Sequence, residues 1–120
     1  MEFAQRGETK GINMKDIYQL SLDEIDAEVA RIEGISGADN FSPTRNWAQG
    51  GPIIEREHID LLYFDADDDD EDRNLPTWEA QIGGGRYIDQ YRGDATEGET
   101  PLIAAMRCFI LEKNAEYKSF

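Results

Sequence analysis

The chain has 120 residues, a formal net charge of −14 and a hydrophobic fraction of 39%. This length suits one domain with a modest core, and the acidic excess argues against binding to nucleic acid or anionic membranes, which are also negatively charged. The single cysteine, Cys108, excludes a disulfide framework and a cysteine metal site, and no apolar run approaches the ~20 residues of a membrane span.

The first 33 residues divide into an extension and a helix. Residues 1–13 are polar and contain glycine, so we expect a flexible extension before a single domain at 14–120. Ser21 and Glu24 fit a capping box, and Gly34 is a typical helix terminator. Apolar residues then recur at helical spacing: Leu22, Ile25, Val29 and Ile32. Acidic residues are predicted to cover the outer face of this helix: Asp23, Glu24, Asp26 and Glu28.

The middle of the chain predicts a short helix followed by strands. Residues 35–46 are rich in loop formers, and Pro52 suits the first position of a helix over about 53–57. Residues 59–64 form a β-rich apolar run, and residues 77–82 alternate, with Trp78, Ala80 and Ile82 on one face. We expect a turn at 83–85, a return strand at 86–91 and a polar loop at 94–99.

The last helix is the expected core element. Thr100 and Pro101 fit the N-cap and first position of a helix, and residues 102–111 are apolar almost all round. The predicted fold is therefore α+β, with about three helices packed on a small antiparallel sheet and the C-terminal helix buried in the core.

An acidic run between the two predicted strands holds half of the net charge. Its seven carboxylates are Asp65, Asp67, Asp68, Asp69, Asp70, Glu71 and Asp72. An EF-hand loop beginning at Asp65 would need a glycine at its sixth position and a glutamate at its twelfth. This chain has Asp70 and Pro76 there, so it does not match the calcium-binding loop. We expect a mobile acidic loop at 65–76 which, with the acidic helix face, forms a surface for a basic protein.

Other chemistry-bearing residues are sparse. His58 is the only histidine and fits a helix end, the apolar surroundings of Cys108 predict burial, and Arg107 should pair with Glu55 or Glu57 or reach the surface. The residues predict no catalytic constellation, metal site or cofactor. The alternative to an acidic binding surface is a tryptophan-lined pocket for a small molecule or metal, formed by Trp47, Glu55, His58, Trp78 and Arg107.

Two segments together resemble a known family. One runs from Trp47 through Pro52-Ile53-Ile54 to Ile59, and the other joins Trp78-Glu79-Ala80 to the Pro101-Leu102-Ile103-Ala104-Ala105-Met106 helix. This pattern resembles the NinX-like small phage and prophage proteins, whose function is unknown, over most of residues 14–113. The resemblance implies action in the cytoplasm of a bacterial host cell, transfers no catalytic residues and does not include the acidic run.

We therefore expect a non-enzymatic phage accessory protein that binds a basic protein, for example to inhibit a host defence or nucleic-acid-handling protein. The alternatives are the pocket-based small-molecule or metal-binding protein or enzyme described above, and a structural or assembly protein of the phage.

Overall fold

A three-stranded antiparallel sheet and a long helix form the centre of the fold. The computed structural model describes residues 12–36, 39–66, 75–82 and 95–115. In chain order its elements are α1 (Met14–Ile17), α2 (Leu22–Glu33), α3 (Trp47–Glu57), β1 (Ile59–Phe64), β2 (Thr77–Ile82), β3 (Thr96–Gly98) and α4 (Pro101–Ala115). The strands lie in the order β1-β2-β3. The α+β prediction, with helices on a small antiparallel sheet, is confirmed.

Helix α4 is the central core element, as its apolar sequence predicts. Residues 102–106 and 108–110 are buried, and α4 packs against all three strands and against α1, α2 and α3. The Thr100 hydroxyl oxygen accepts a hydrogen bond from the backbone N–H of Ile103 (3.1 Å), which confirms the predicted cap. Cys108 is buried, also as predicted.

Helix α2 begins and ends where its sequence indicates. The Ser21 hydroxyl accepts from the Glu24 N–H (3.1 Å), and the Glu24 carboxylate accepts from the Ser21 N–H (2.8 Å). Gly34 adopts the left-handed conformation, with φ of 74°, and ends the helix. Ile25 and Val29 are fully buried, so this stripe anchors α2 to the core.

Strands β1 and β2 have the predicted bounds and pair antiparallel. Ile59 is opposite Ile82, and Tyr63 is opposite Trp78. Ala80 is fully buried while Trp78 and Ile82 pack against the core, so this face of β2 meets α4. The opposite face, which carries Leu62, points away from the core because side chains alternate along a strand.

Helix α3 is longer than the sequence predicts. Its N-cap is Asn46, whose side-chain oxygen accepts from the Ala48 N–H (2.9 Å), and Pro52 is inside the helix rather than at its start. Proline has no N–H to donate to the Ala48 carbonyl, a loss that local reasoning treats as a helix boundary. The helix nevertheless continues through Pro52. Two residues earlier, a Cβ on Gly50 would lie 2.6 Å from the Pro43 carbonyl oxygen, so this glycine permits a close approach to the preceding loop.

Strand β3 lies inside the segment predicted as a polar loop. Thr96 is fully buried, and its hydroxyl donates to the Ala104 carbonyl of α4 (2.7 Å). A Cβ on Gly98 would lie 2.5 Å from the Ala104 nitrogen, so glycine allows the strand to contact α4. The loop prediction was wrong because three residues with one threonine and no large apolar side chain carry no recognisable strand pattern.

The described chain begins with two residues that the sequence analysis assigned to the extension. The Asn13 side chain caps α1 by accepting from the Asp16 N–H (2.8 Å), and Ile12 packs against the core. The rest of the predicted extension, the acidic run from residue 67 onwards, and the predicted turn and return strand at 83–91 lie outside the described residues.

Candidate functional site

Three exposed or partly exposed carboxylates of α2 are engaged within the chain: Asp23, Glu24 and Glu28. Asp23 pairs with Arg45 at 2.9 Å, and Glu28 pairs with Arg31 one turn along the helix. Glu24 serves the capping box. These carboxylates still contribute negative potential, but each already has a local partner.

Asp26 does not belong to the acidic outer face that the sequence predicts. It is 5% exposed, and its carboxylate accepts from the Thr44 backbone N–H (3.0 Å) and hydroxyl (3.1 Å). Arg45 also approaches it, with 3.7 Å between the charged atoms. The sequence-based placement was wrong because position 26 faces the 43–45 loop, a contact that helical periodicity cannot predict. Asp26 holds this loop against α2.

Asp65 is the first residue of the acidic run and follows directly from β1. It is exposed, and a hydrogen bond between its carboxylate and the Tyr63 hydroxyl raises the pKa of Tyr63. The other predicted binding residues of the run lie outside the described part of the chain: Asp67, Asp68, Asp69, Asp70, Glu71 and Asp72.

The structure separates members of the predicted tryptophan pocket. Trp47 begins α3 and is 55% exposed, whereas His58 caps the opposite end in a left-handed conformation, with φ of 58°. An 11-residue rise along a helix places these residues about 16 Å apart. Glu55 is exposed on α3, and Trp78 lies on β2 with its ring centroid 5.1 Å from that of Tyr63.

Arg107 does not pair with Glu55 or Glu57. Glu57 instead pairs with Arg56 (2.8 Å) and Lys113 (3.4 Å). The Arg107 guanidinium turns to β3, where Nη1 donates to the Glu97 carbonyl (2.6 Å). Sequence reasoning sought a carboxylate partner and could not identify a backbone carbonyl ten residues earlier.

Tyr18 completes a three-residue arrangement at the edge of β3. Its hydroxyl accepts from the backbone N–H of Glu97 (2.7 Å), and its ring lies beneath the Arg107 guanidinium, with 4.7 Å between Cζ and the ring centroid. Both polar backbone groups of Glu97 therefore face away from β2 and are bonded by side chains. Burial raises the pKa of Tyr18, and the charges of Glu97 and Glu79 act in the same direction.

A cleft of about 470 Å³ opens beside this arrangement, between the α1–α2 turn and the start of α4. We call it the edge cleft. Beyond Tyr18, Glu97 and Arg107, its wall includes Leu20, Ser21, Leu22, Glu99 and Ile103. Arg107 Nε is buried and has no hydrogen-bond partner in the described structure. The edge cleft thus combines apolar surface, two glutamates and the guanidinium of Arg107.

The outer face of the sheet adjoins the edge cleft through Glu97. Leu62, Glu79 and Glu97 form one row across the three strands, since Leu62 is opposite Glu79 and Glu79 is opposite Glu97. Because the polar backbone groups of Glu97 point away from β2, Glu79 and Glu97 form a non-hydrogen-bonded pair, with Cα atoms about 4.5 Å apart. Leu62 is 52% exposed.

The alternation of β2 implies that Glu79 lies on the face opposite Trp78, but the sequence analysis did not assign Glu79 to a site. It also missed Tyr18, Leu62, Glu97 and Glu99. The alternation of β2 was the one usable signal, since Tyr18 lies in a short lead and Glu97 in an expected loop. Within the described residues there is no group of three or more potential metal ligands, and no helix is long and apolar enough to cross a membrane.

Comparison with known families matches residues 24–113 to the family described as Bacteriophage P22, NinX. The chain belongs to this family. The match confirms the resemblance seen in the two tryptophan-containing segments and identifies a phage protein family. It covers α3, all three strands and α4 as far as Lys113, while the Tyr18–Leu22 wall of the edge cleft precedes it. Comparisons with curated proteins and with solved structures find no match.

Proposed function

We propose that this NinX-family protein is a non-enzymatic phage accessory protein that binds a basic host or phage protein through an acidic surface. The observation that carries the proposal is the pairing of Glu79 with Glu97 on the outer sheet face, beside exposed Leu62. Like charges at directly opposed strand positions repel each other. A lysine or arginine of a partner placed against this pair is attracted by both carboxylates.

The mixture of charge and apolar surface supports a protein partner. Interfaces gain most of their affinity from a few desolvated apolar or aromatic anchors, and surrounding charges set orientation and association rate. Leu62 supplies exposed apolar area in the same row as Glu79 and Glu97. The outer sheet face therefore offers an anchor and a charge pattern together.

The charge of the whole molecule favours the same class of partner. A net charge of −14 attracts basic proteins over long range and speeds their association, with strong dependence on salt. The acidic run begins at Asp65, directly after the last residue of β1, and adds to this potential. Inhibition of a basic host defence or nucleic-acid-handling protein is one use of such binding.

The alternative of a tryptophan-lined pocket receives less support, because Trp47 and His58 lie at opposite ends of α3. A phage structural or assembly protein remains a distinct alternative. Identification of the partner separates it from the accessory protein, since an assembly protein captures a virion component.

The first experiment is affinity capture of proteins from phage-infected bacterial cells with the purified protein as bait, at low and high salt. A basic protein captured at low salt and lost at high salt is then purified and its dissociation constant is measured. We expect Glu97→Gln to weaken binding about two- to fivefold. Glu55→Gln, which makes the same charge change at an exposed position of α3, is the matched control. Equal effects of the two variants, or no salt-sensitive basic partner, would contradict the proposal.

A second variant tests the acidic run. Replacing its aspartates by asparagine and its glutamate by glutamine retains loop length and removes seven negative charges. We expect slower association with the purified partner and a weaker salt dependence, because long-range steering is reduced. An unchanged association rate would remove the run from the proposed surface.

A further inference from the structure

We infer that the edge cleft receives an extended segment of the basic partner, with an apolar side chain inside the cleft and a lysine or arginine at its acidic rim. The inference rests on the proposed function and specifies which part of the partner is recognised. In this proposal the cleft binds an apolar residue that is next to a basic one. The outer sheet face, in contrast, attracts positive charge over a broader surface.

The size and wall of the edge cleft suit an apolar side chain. Its volume of about 470 Å³ lies within the range of ~300–1,000 Å³ typical of small binding sites. Leu20, Leu22 and Ile103 contribute its apolar surface. Burial of an apolar group against these side chains supplies affinity that charge alone does not.

The Arg107 guanidinium lines the edge cleft, but its Nε atom is buried below the cleft surface. Arg107 Nη1 is already bound to the Glu97 carbonyl, whereas Nε is not bonded to any described group. Because Nε is buried, a ligand in the cleft meets only the rest of the Arg107 guanidinium, for which a backbone carbonyl of an extended segment is a neutral acceptor.

The charges around the edge cleft select a ligand that is neither a simple anion nor a simple cation. Glu97 and Glu99 are exposed at the cleft and repel an anionic ligand, while the Arg107 guanidinium repels a cation placed beside it. A peptide segment satisfies both conditions because its carbonyl approaches Arg107 and its basic side chain reaches the glutamates.

The segment is not expected to extend the sheet at β3. The N–H and the carbonyl of Glu97 are occupied by Tyr18 and Arg107, so the backbone of this residue is not available for strand addition. Recognition instead depends on side chains that fill the cleft, which makes it dependent on the sequence of the partner.

The inference is tested by NMR titration of the ¹⁵N-labelled full chain with three short peptides. The probe is acetyl-Leu-Lys-Leu amide, and the controls are acetyl-Leu-Glu-Leu amide and acetyl-Gly-Lys-Gly amide. We expect the probe to bind with a dissociation constant on the order of 1 mM, since so short a ligand buries little surface. It should shift the Arg107 Nε–H signal and the backbone amides of Leu22, Gly98 and Ile103.

Both control peptides should produce smaller shifts at these positions. Glu99→Gln should weaken binding of the probe about two- to fivefold, while Glu55→Gln should not change it. Shifts spread over acidic surface residues without the Arg107 Nε–H signal, stronger binding of the glutamate peptide, or no binding of the probe would overturn the inference. None of these outcomes affects capture of a salt-sensitive basic partner, so the proposed function is tested separately.

Discussion

The guanidinium of Arg107 lies over the ring of Tyr18, with Cζ 4.7 Å from the ring centroid, and both side chains hydrogen-bond to the backbone of Glu97. This arrangement joins the end of α1 to α4 across β3. It also satisfies the outward polar groups of the middle residue of this strand, where an open edge would invite pairing with another chain.

Tyr18→Phe should lower the free energy of unfolding by about 1 kcal/mol, because the Glu97 N–H loses its acceptor while the aromatic ring remains. Urea unfolding followed by circular dichroism measures the change. Tyr63→Phe is the control, since its hydroxyl bonds only to exposed Asp65 among the interactions described. An equal loss in both variants would contradict a special role of the Tyr18 hydroxyl.

Asp26→Asn should lower the free energy of unfolding by about 2–3 kcal/mol, because the buried carboxylate accepts two hydrogen bonds from Thr44 and attracts Arg45. Asp23→Asn removes a charge from the same helix, but the Asp23 side chain is 87% exposed and its loss should cost less than about 1 kcal/mol. Chemical denaturation of both variants distinguishes the buried carboxylate from the surface one. Similar losses would argue against the anchoring role of Asp26.

Adjacent glycines in α3 should respond oppositely to alanine. In Gly50→Ala the new Cβ would lie 2.6 Å from the Pro43 carbonyl oxygen and 2.7 Å from Leu102 Cδ2, so we expect a loss of about 1–3 kcal/mol. In Gly51→Ala the nearest atom is 3.7 Å away, and the better helix propensity should stabilise the protein by about 0.5–1 kcal/mol. Thermal unfolding measures both changes. A stabilising Gly50→Ala would show that α3 does not pack as described.

The stability contribution of Glu57 should depend on pH. Partial burial favours the protonated form, but hydrogen bonds and attraction from Arg56 and Lys113 outweigh it and lower the pKa of Glu57 below 4.5. A lowered folded-state pKa stabilises the protein above the unfolded value and loses that effect as the pH falls through the folded value. The difference in unfolding free energy between wild type and Glu57→Gln should therefore shrink below pH 4.5.

Urea titrations at several pH values between neutral and acidic conditions test this dependence. Glu55→Gln also replaces one carboxylate, at an exposed position of α3 close to the ion pairs of Glu57, and provides the control. A difference between wild type and Glu57→Gln that grows on acidification would have the wrong sign and would contradict the assignment of Arg56 and Lys113 as stabilising partners.

Elements with strong local signals were predictable from the sequence. The capping box at Ser21 and Glu24, the alternation around Ala80 and the apolar run after Pro101 each place their own element correctly. These signals succeed because a cap, a strand face and a buried helix depend on residues within a few positions of one another.

The candidate site was not predictable in the same way. Tyr18 bonds to a residue 79 positions later, and the burial of Asp26 depends on Thr44, 18 positions away. Helix α3 contains Pro52 despite the lost hydrogen bond, and its Gly50 lies close to the Pro43 carbonyl, a contact with a distant segment that local sequence does not indicate.

The sequence by itself determined the α+β class, the bounds of β1 and β2, the burial of α4 and the family resemblance, since these follow from patterns repeated over neighbouring residues. Only the tertiary structure decided that Glu97 lies on a strand opposite Glu79, with Tyr18 and Arg107 at its edge. The reason is physical, because β3 is only three residues long and is defined by backbone pairing and by contacts with distant side chains. Neither produces a periodic pattern in the sequence of the strand itself.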